Sequence, residues 1–259
     1  MNRLIITMLS VGVITLVSAS CVNAQDDDRM ARFLPTELFA CDFREGKGPG
    51  DLDAVVDQWN AYLDEQGADA YQAWTLTRQF FSPEQDFDVL WLGASRDGNT
   101  FGQGRDNYHA TGGESIAAFN SVVKCNAHVG YASRAFKLPS NYDDGSPATS
   151  VITFTDCTIK EGATYDTIVE GMTAWANTLT ENGSNAGMYQ WWPAYGGGDA
   201  NFDFKMLSVY PNHASLGADF ERVVNGALWR TRMELLGDQI DCNESRVYDA
   251  TLRRAAQLR

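Results

Sequence analysis

The sequence predicts an α+β fold built from two tandem copies of one βαββαβ module. Two observations carry that prediction. The first is an internal duplication anchored on the rarest residues of the chain. Cys41-Asp-Phe-Arg-Glu-Gly46 aligns with Cys157-Thr-Ile-Lys-Glu-Gly162, and at the same offset Trp59 meets Trp175, Leu63 meets Leu179, Glu65 meets Glu181 and Gly67 meets Gly183. With small shifts, Phe87-Asp88 meets Phe202-Asp203, Leu92 meets Leu207, Cys125-Asn126 meets Cys242-Asn243 and Tyr131 meets Tyr248. The second is that both halves run through the same order of strand and helix patterns.

The elements follow in turn. Residues 36–43 and 150–158 read as the opening strands. Residues 51–66 place Leu52, Val55, Val56, Trp59 and Leu63 on one helical face, and Gly67 is a natural C-terminal stop. The copy, 165–182, does the same with Ile168, Met172, Trp175 and Leu179 before Gly183. Strands are expected at 71–81 and 87–94, and again at 188–193 and 202–210. The turn-rich segments Ser82-Pro-Glu-Gln-Asp86 and Tyr195-Gly-Gly-Gly-Asp199 join them. A second helix is expected at 114–124 and 216–236, and a closing strand at 128–136 and 245–252. The Pro-, Asn- and Asp-rich stretch 139–147 has linker composition. The organisation is therefore an extension at 25–35, module 1 at 36–138, a linker at 139–149, module 2 at 150–253 and a tail at 254–259.

Residues 1–24 have a secretory signal pattern: basic Met1-Asn2-Arg3, an apolar run from Leu4 to Val17, and Val22-Asn23-Ala24 fitting cleavage after Ala24. The apolar run is short for a membrane span. Lipidation at Cys21 is disfavoured, because Ser18 stands where the lipoprotein pattern has Leu. A periplasmic or secreted protein is expected. Cleavage leaves four of five cysteines, an even number suited to disulfides in an oxidising compartment. The net charge of −14 argues against nucleic-acid binding. No Cys-x-x-Cys pair or histidine cluster suggests a metal, and no cofactor is expected.

The order βαββαβ, twice, resembles the ferredoxin-like module, and two such modules resemble the dimeric α+β barrel superfamily, fused here into one chain as an internal pseudo-dimer. The resemblance is one of architecture and covers nearly the whole mature chain. It implies a monomer with a cavity between the two sheets. In a ferredoxin-like sheet the last strand lies antiparallel beside the first, which implies the disulfides Cys41–Cys125 and Cys157–Cys242. Members of the superfamily that bind haem use a histidine on a helix, which draws attention to His109 in its Gly-rich segment; no haem-attachment motif accompanies it.

Alternation places His128 and Arg134 on one face of the closing strand of module 1, where they form a polar pair if that face lines the barrel. Ser245 and Thr251 replace them in module 2. A surface or core histidine is the plainer alternative. Asp88, repeated as Asp203, is either a general base or a structural hydrogen-bond acceptor. Gly98-Asn-Thr-Phe-Gly-Gln-Gly-Arg105 lacks the phosphate-loop residues and reads as a loop. His213 reads as a loop residue, and Asp26–Asp28 and Asp143-Asp144 as solvated surface. Trp74, Trp91, Trp191, Trp192 and Tyr210 fall on predicted strands, where some are expected to line an inter-sheet pocket suited to a flat or apolar ligand. Two readings follow: binding of a small apolar or aromatic ligand, or of a protein partner, through that pocket; and a cofactor-independent monooxygenase-like or isomerase-like enzyme using His128, Arg134 and Asp88.

Overall fold

The computed structural model describes residues 32–140, 147–198 and 200–256. The signal-pattern residues and the centre of the linker lie outside them. Module 1 runs β1 (Leu34–Phe43), α1 (Pro49–Glu65), β2 (Tyr71–Phe80), β3 (Val89–Ser95), α2 (Gly98–Thr111), α3 (Gly113–Val122) and β4 (Val123–Lys137). Module 2 runs β5 (Thr149–Ile159), α4 (Tyr165–Glu181), β6 (Gly187–Tyr195), β7 (Phe204–Tyr210), α5 (His213–Phe220), a π-helical turn (Glu221–Asn225), α6 (Leu228–Leu236), β8 (Ile240–Cys242) and β9 (Arg246–Arg254).

Each module has the ferredoxin-like strand order, β4-β1-β3-β2 and β9-β5-β7-β6, with every pairing antiparallel. The two sheets meet edge to edge along β4–β6 and β2–β9, which closes an eight-stranded barrel. Closure removes the exposed edges that each sheet would otherwise present. The short β8 continues the line of β9 along β5, so the closing strand of module 2 is broken where that of module 1 is continuous.

Both expected disulfides are present, and in each the cysteines face each other across the first and last strands, Cys41 opposite Cys125 and Cys157 opposite Cys242. They close loops of 84 and 85 residues, each contributing roughly 4–5 kcal/mol on the chain-entropy account. The repeated aspartates are structural twins. Asp88 accepts a hydrogen bond from the Phe43 amide at 2.8 Å, and Asp203 accepts one from the Ile159 amide at 2.6 Å.

Two elements differ from the sequence reading. Residues 98–111, read largely as a loop, form α2; Asp97 caps it by accepting from the Thr100 amide, which offsets the helix-weakening effect of three glycines. The single helix expected at 216–236 is divided by the π-helical turn and by Ala227, whose φ is +61°. His213 is not a loop residue: it opens α5 and lies 2.6 Å from Asp249.

The barrel interior is filled. Leu76, Leu90, Tyr131, Ile152, Phe154, Trp191, Leu207 and Tyr248 pack there, with Phe154 edge-on to both Trp191 and Tyr248 at 5.4 and 5.5 Å. Burial pushes the Tyr131 phenol up to about 12. At one end, the same inward alternation brings together Asp156, Lys205 and Arg246, with Lys205 also 3.9 Å over the Phe202 ring. Their module 1 counterparts are Ala40, Leu90 and Val129, so this ionic plug belongs to one module.

The plug gives a pH-dependent prediction. Burial alone would raise the Asp156 pKa, but hydrogen bonds and charge from Arg246 and Lys205 outweigh it and hold the carboxyl below its usual value. A depressed carboxylate pKa contributes stability that is complete above the unfolded value and is lost as pH falls through the folded one. Asp156→Asn leaves two cations without a counter-charge and should cost about 3 kcal/mol near neutrality. Chemical unfolding across pH should show this gap closing in acid; a gap independent of pH would contradict the assignment.

Candidate functional site

The outer face of each sheet carries its helices, and here the modules diverge. In module 2, α6 docks onto α4 at Gly171, where an added Cβ would lie 2.7 Å from the Leu235 carbonyl oxygen. Leu236 and Ile240 then complete a core with Ile168, Met172, Trp175 and Phe204. Val55 stands at the matching position of module 1, and α2 buries none of its residues. A cavity of about 580 Å³ remains between the outer face of the module 1 sheet and helices α1–α3.

Its walls are aromatic. Trp59 from α1 meets Trp91 from β3 edge-on at 5.1 Å, and Phe119 from α3 stands edge-on to both. Tyr62, Phe39 and Tyr108 extend the lining, and the Cys41–Cys125 disulfide lies along it. Polar residues also reach the wall, among them Arg105, Asn107 and the buried Glu37, whose side chain is 4% exposed. Its Oε1 accepts a hydrogen bond from the Tyr71 hydroxyl at 2.7 Å, and its Oε2 lies 2.7 Å from His128 Nε2 and 3.8 Å from Arg105 Nη1. Tyr71 in turn accepts from Trp91 Nε1 at 3.1 Å. The His128 ring stacks on Phe39 with centroids 3.7 Å apart. Burial, and then the charge of Glu37, pushes the Tyr71 phenol well above its usual pKa, so it stays a neutral donor.

Five elements therefore deliver one carboxylate cluster: β1 supplies Glu37, β2 Tyr71, β3 Trp91, α2 Arg105 and β4 His128. Gly93 makes it fit. An added Cβ there would lie 1.8 Å from the Tyr71 hydroxyl, so only glycine lets that ring cross β3 to reach Glu37. In module 2 Thr153 replaces Glu37, Thr155 replaces Phe39 and Ser245 replaces His128; the last two simply share a 2.7 Å hydrogen bond.

The residues singled out in the sequence are dispersed. His128 faces the helix layer, because its neighbours Val129 and Tyr131 take the barrel side; it is not paired with Arg134, which bonds the Tyr165 hydroxyl of module 2 at 2.7 Å. Asp88 serves the β1 backbone. Of the five aromatics, Trp91 alone lines the cavity. Trp74 and Trp191 lie in the barrel core, Trp192 packs in the helix layer of module 2, and Tyr210 packs with Val151 and Val247. The pocket expected between the sheets is replaced by packed side chains. Glu37, Tyr71 and Arg105 were missed, although an acid among the apolar residues of the first strand, replaced by Thr153 in the second copy, marks Glu37.

No family model matches the sequence, and no curated protein matches it. Solved structures do. The chain is similar to a protein assigned as a monooxygenase from Lactobacillus acidophilus, with a TM-score of 0.54 and 7% identity over 88% of this chain and 97% of that one. It is similar to a chlorite dismutase from Candidatus Nitrospira defluvii, with a TM-score of 0.50 and 8% identity over 90% and 96%. A protein assigned as a monooxygenase from Fusobacterium nucleatum gives 0.50 and 11% over 87% and 94%. The fold is the dimeric α+β barrel, closed within one chain. At such identities the likeness shows the fold alone.

His109, the helix-borne histidine, lies on the cavity rim with its ring exposed. Its Nε2 is 3.4 Å from Arg105 Nη2, so the nitrogen that would hold a haem iron faces a permanent cation. That arrangement does not fit a haem ligand. Among the described residues no group of three or more His, Cys, Asp or Glu side chains could hold a metal ion.

Gly93→Ala should displace Tyr71 and lower stability by about 1–3 kcal/mol, the cost of overpacking. In a Tyr71→Ala background the same substitution should cost little. Equal losses in both backgrounds, measured by chemical unfolding, would detach Gly93 from Tyr71.

Proposed function

We propose that the module 1 cavity binds a planar, largely apolar aromatic small molecule. The observation that carries this reading is the packed aromatic cluster of Trp59, Trp91 and Phe119 on the wall of a volume within the range of small-molecule sites. Edge-on rings offer faces and edges to a flat guest, and the cavity is too large to be a packing defect. The two disulfides support a protein that works outside the reducing cytoplasm, and no helix among the described residues is long and apolar enough to cross a membrane. We read it as an exported chain cleaved after Ala24. Since one chain supplies both halves of the barrel, we read it as a monomer.

A second reading, catalysis without a cofactor, is favoured by the buried carboxylate on the cavity wall. Packed apolar residues would suffice for binding alone, whereas a charge held at 4% exposure by Tyr71 and His128 is costly to bury.

Calorimetry with 2-naphthol tests the binding reading. One molecule should bind per chain, Trp91→Ala should weaken binding by about tenfold or more, and Trp74→Phe, a change in the barrel core, should leave it unaltered. Absence of saturable binding, or two equal sites, would contradict it.

A further inference from the structure

We propose that Glu37 is the general base of an acid–base site in this cavity, removing a proton from carbon next to the carbonyl of an aromatic ketone, with Arg105 holding the enolate oxygen and His128 exchanging the proton with solvent. The inference rests on the aromatic-binding reading above and names the chemistry of that same site.

The placement of each group supports its role. Glu37 and Arg105 both line the cavity, so both can touch a bound molecule. Tyr71 occupies Oε1 as a fixed donor and orients the carboxylate, leaving it further acceptor capacity toward the cavity. His128 is not part of the cavity wall; its side chain is 39% exposed, while its Nε2 touches Oε2 from behind. The carboxylate therefore has a substrate side and a solvent side, joined by a hydrogen bond of 2.7 Å. Arg105 Nη1, 3.8 Å from Oε2 and one-third exposed, is close enough to share its charge with an oxygen developing beside the carboxylate.

The plainer explanation is that Glu37 merely ties α2 and β4 to the sheet. Module 2 argues against it. The same position of the same strand is Thr153 there, with Ser245 for His128, and that module folds around them with a helix layer more densely packed than that of module 1. The fold does not need a carboxylate at this place, yet module 1 buries one and surrounds it with three partners.

In the step itself the C–H bond breaks and its electron pair stays on the ketone as the enolate. The proton passes to a Glu37 carboxylate oxygen, and from there exchanges through the imidazole with water. Nothing is oxidised or reduced, and no co-reactant is consumed.

The test uses the full disulfide-bonded chain and 2-tetralone, an aromatic ketone whose benzylic CH2 adjoins the carbonyl. Deuterium incorporation at that carbon in D2O is followed by proton NMR, and binding by calorimetry alongside. The wild-type chain should accelerate incorporation about 100-fold or more over protein-free buffer. Glu37→Gln should abolish that acceleration while binding 2-tetralone within a few-fold of wild type. Glu37→Asp, which keeps the charge but draws it back, should show an intermediate rate and serves if Glu37→Gln does not fold. His128→Ala should slow exchange about tenfold, and imidazole in the medium should restore it, which a purely structural histidine would not allow. Tight binding without acceleration, or full acceleration in Glu37→Gln or Glu37→Asp, would overturn the base assignment and leave the binding site standing. Absence of binding would overturn both.

Discussion

Barrel closure is the constraint on which everything else depends. Once β4 pairs with β6 and β2 with β9, each of the eight barrel strands has two neighbours and the inward face of the sheet becomes sealed volume. Sealed volume in a protein is filled to near-crystalline density, and here aromatic and branched side chains from both modules fill it. An ionic plug at one end holds one carboxylate against two cations. A ligand site then has to lie on the outward face, under the helices, where packing depends on how well each helix docks. Module 2 docks closely because Gly171 lets α6 approach α4. In module 1 the corresponding layer includes α2, none of whose residues is fully buried, and the cavity is the consequence.

Duplication followed by divergence explains which features are paired and which are single. The disulfides, the amide-binding aspartates Asp88 and Asp203, and the core tryptophans Trp59 and Trp175 occur twice because each module needs them to fold. The Glu37 cluster and the Asp156–Lys205–Arg246 plug occur once each, in opposite modules and on opposite faces of the sheet. Apolar or hydroxyl side chains stand at the matching positions, so neither cluster is required by the module as such.

Much of the architecture was legible because it rests on local periodicity and on rare residues that repeat. The helical stripe from Leu52 to Leu63, its copy, and the cysteine pairing belong to that class. The helix at 98–111 was not legible: three glycines conceal it, and its formation depends on the Asp97 cap and on packing beside α3. The site was partly legible. His128 was visible as a residue lacking a counterpart in module 2, but alternation alone does not say which face of a strand looks inward. That face is set by Val129 and Tyr131, which bury against residues of the other module. Glu37 meets Tyr71, Arg105 and His128 over separations of 34, 68 and 91 residues, a convergence that only the folded sheet reveals.

The central claim is that function resides in the outward cavity of module 1 and not inside the barrel. A crystal of the chain grown with 6-bromo-2-naphthol would test it most directly, through the anomalous signal of bromine. The account predicts a single bromine site in the module 1 cavity, against the Trp59–Trp91–Phe119 cluster, with the naphthol hydroxyl directed toward Glu37. Bromine inside the barrel, or under the helices of module 2, would contradict it.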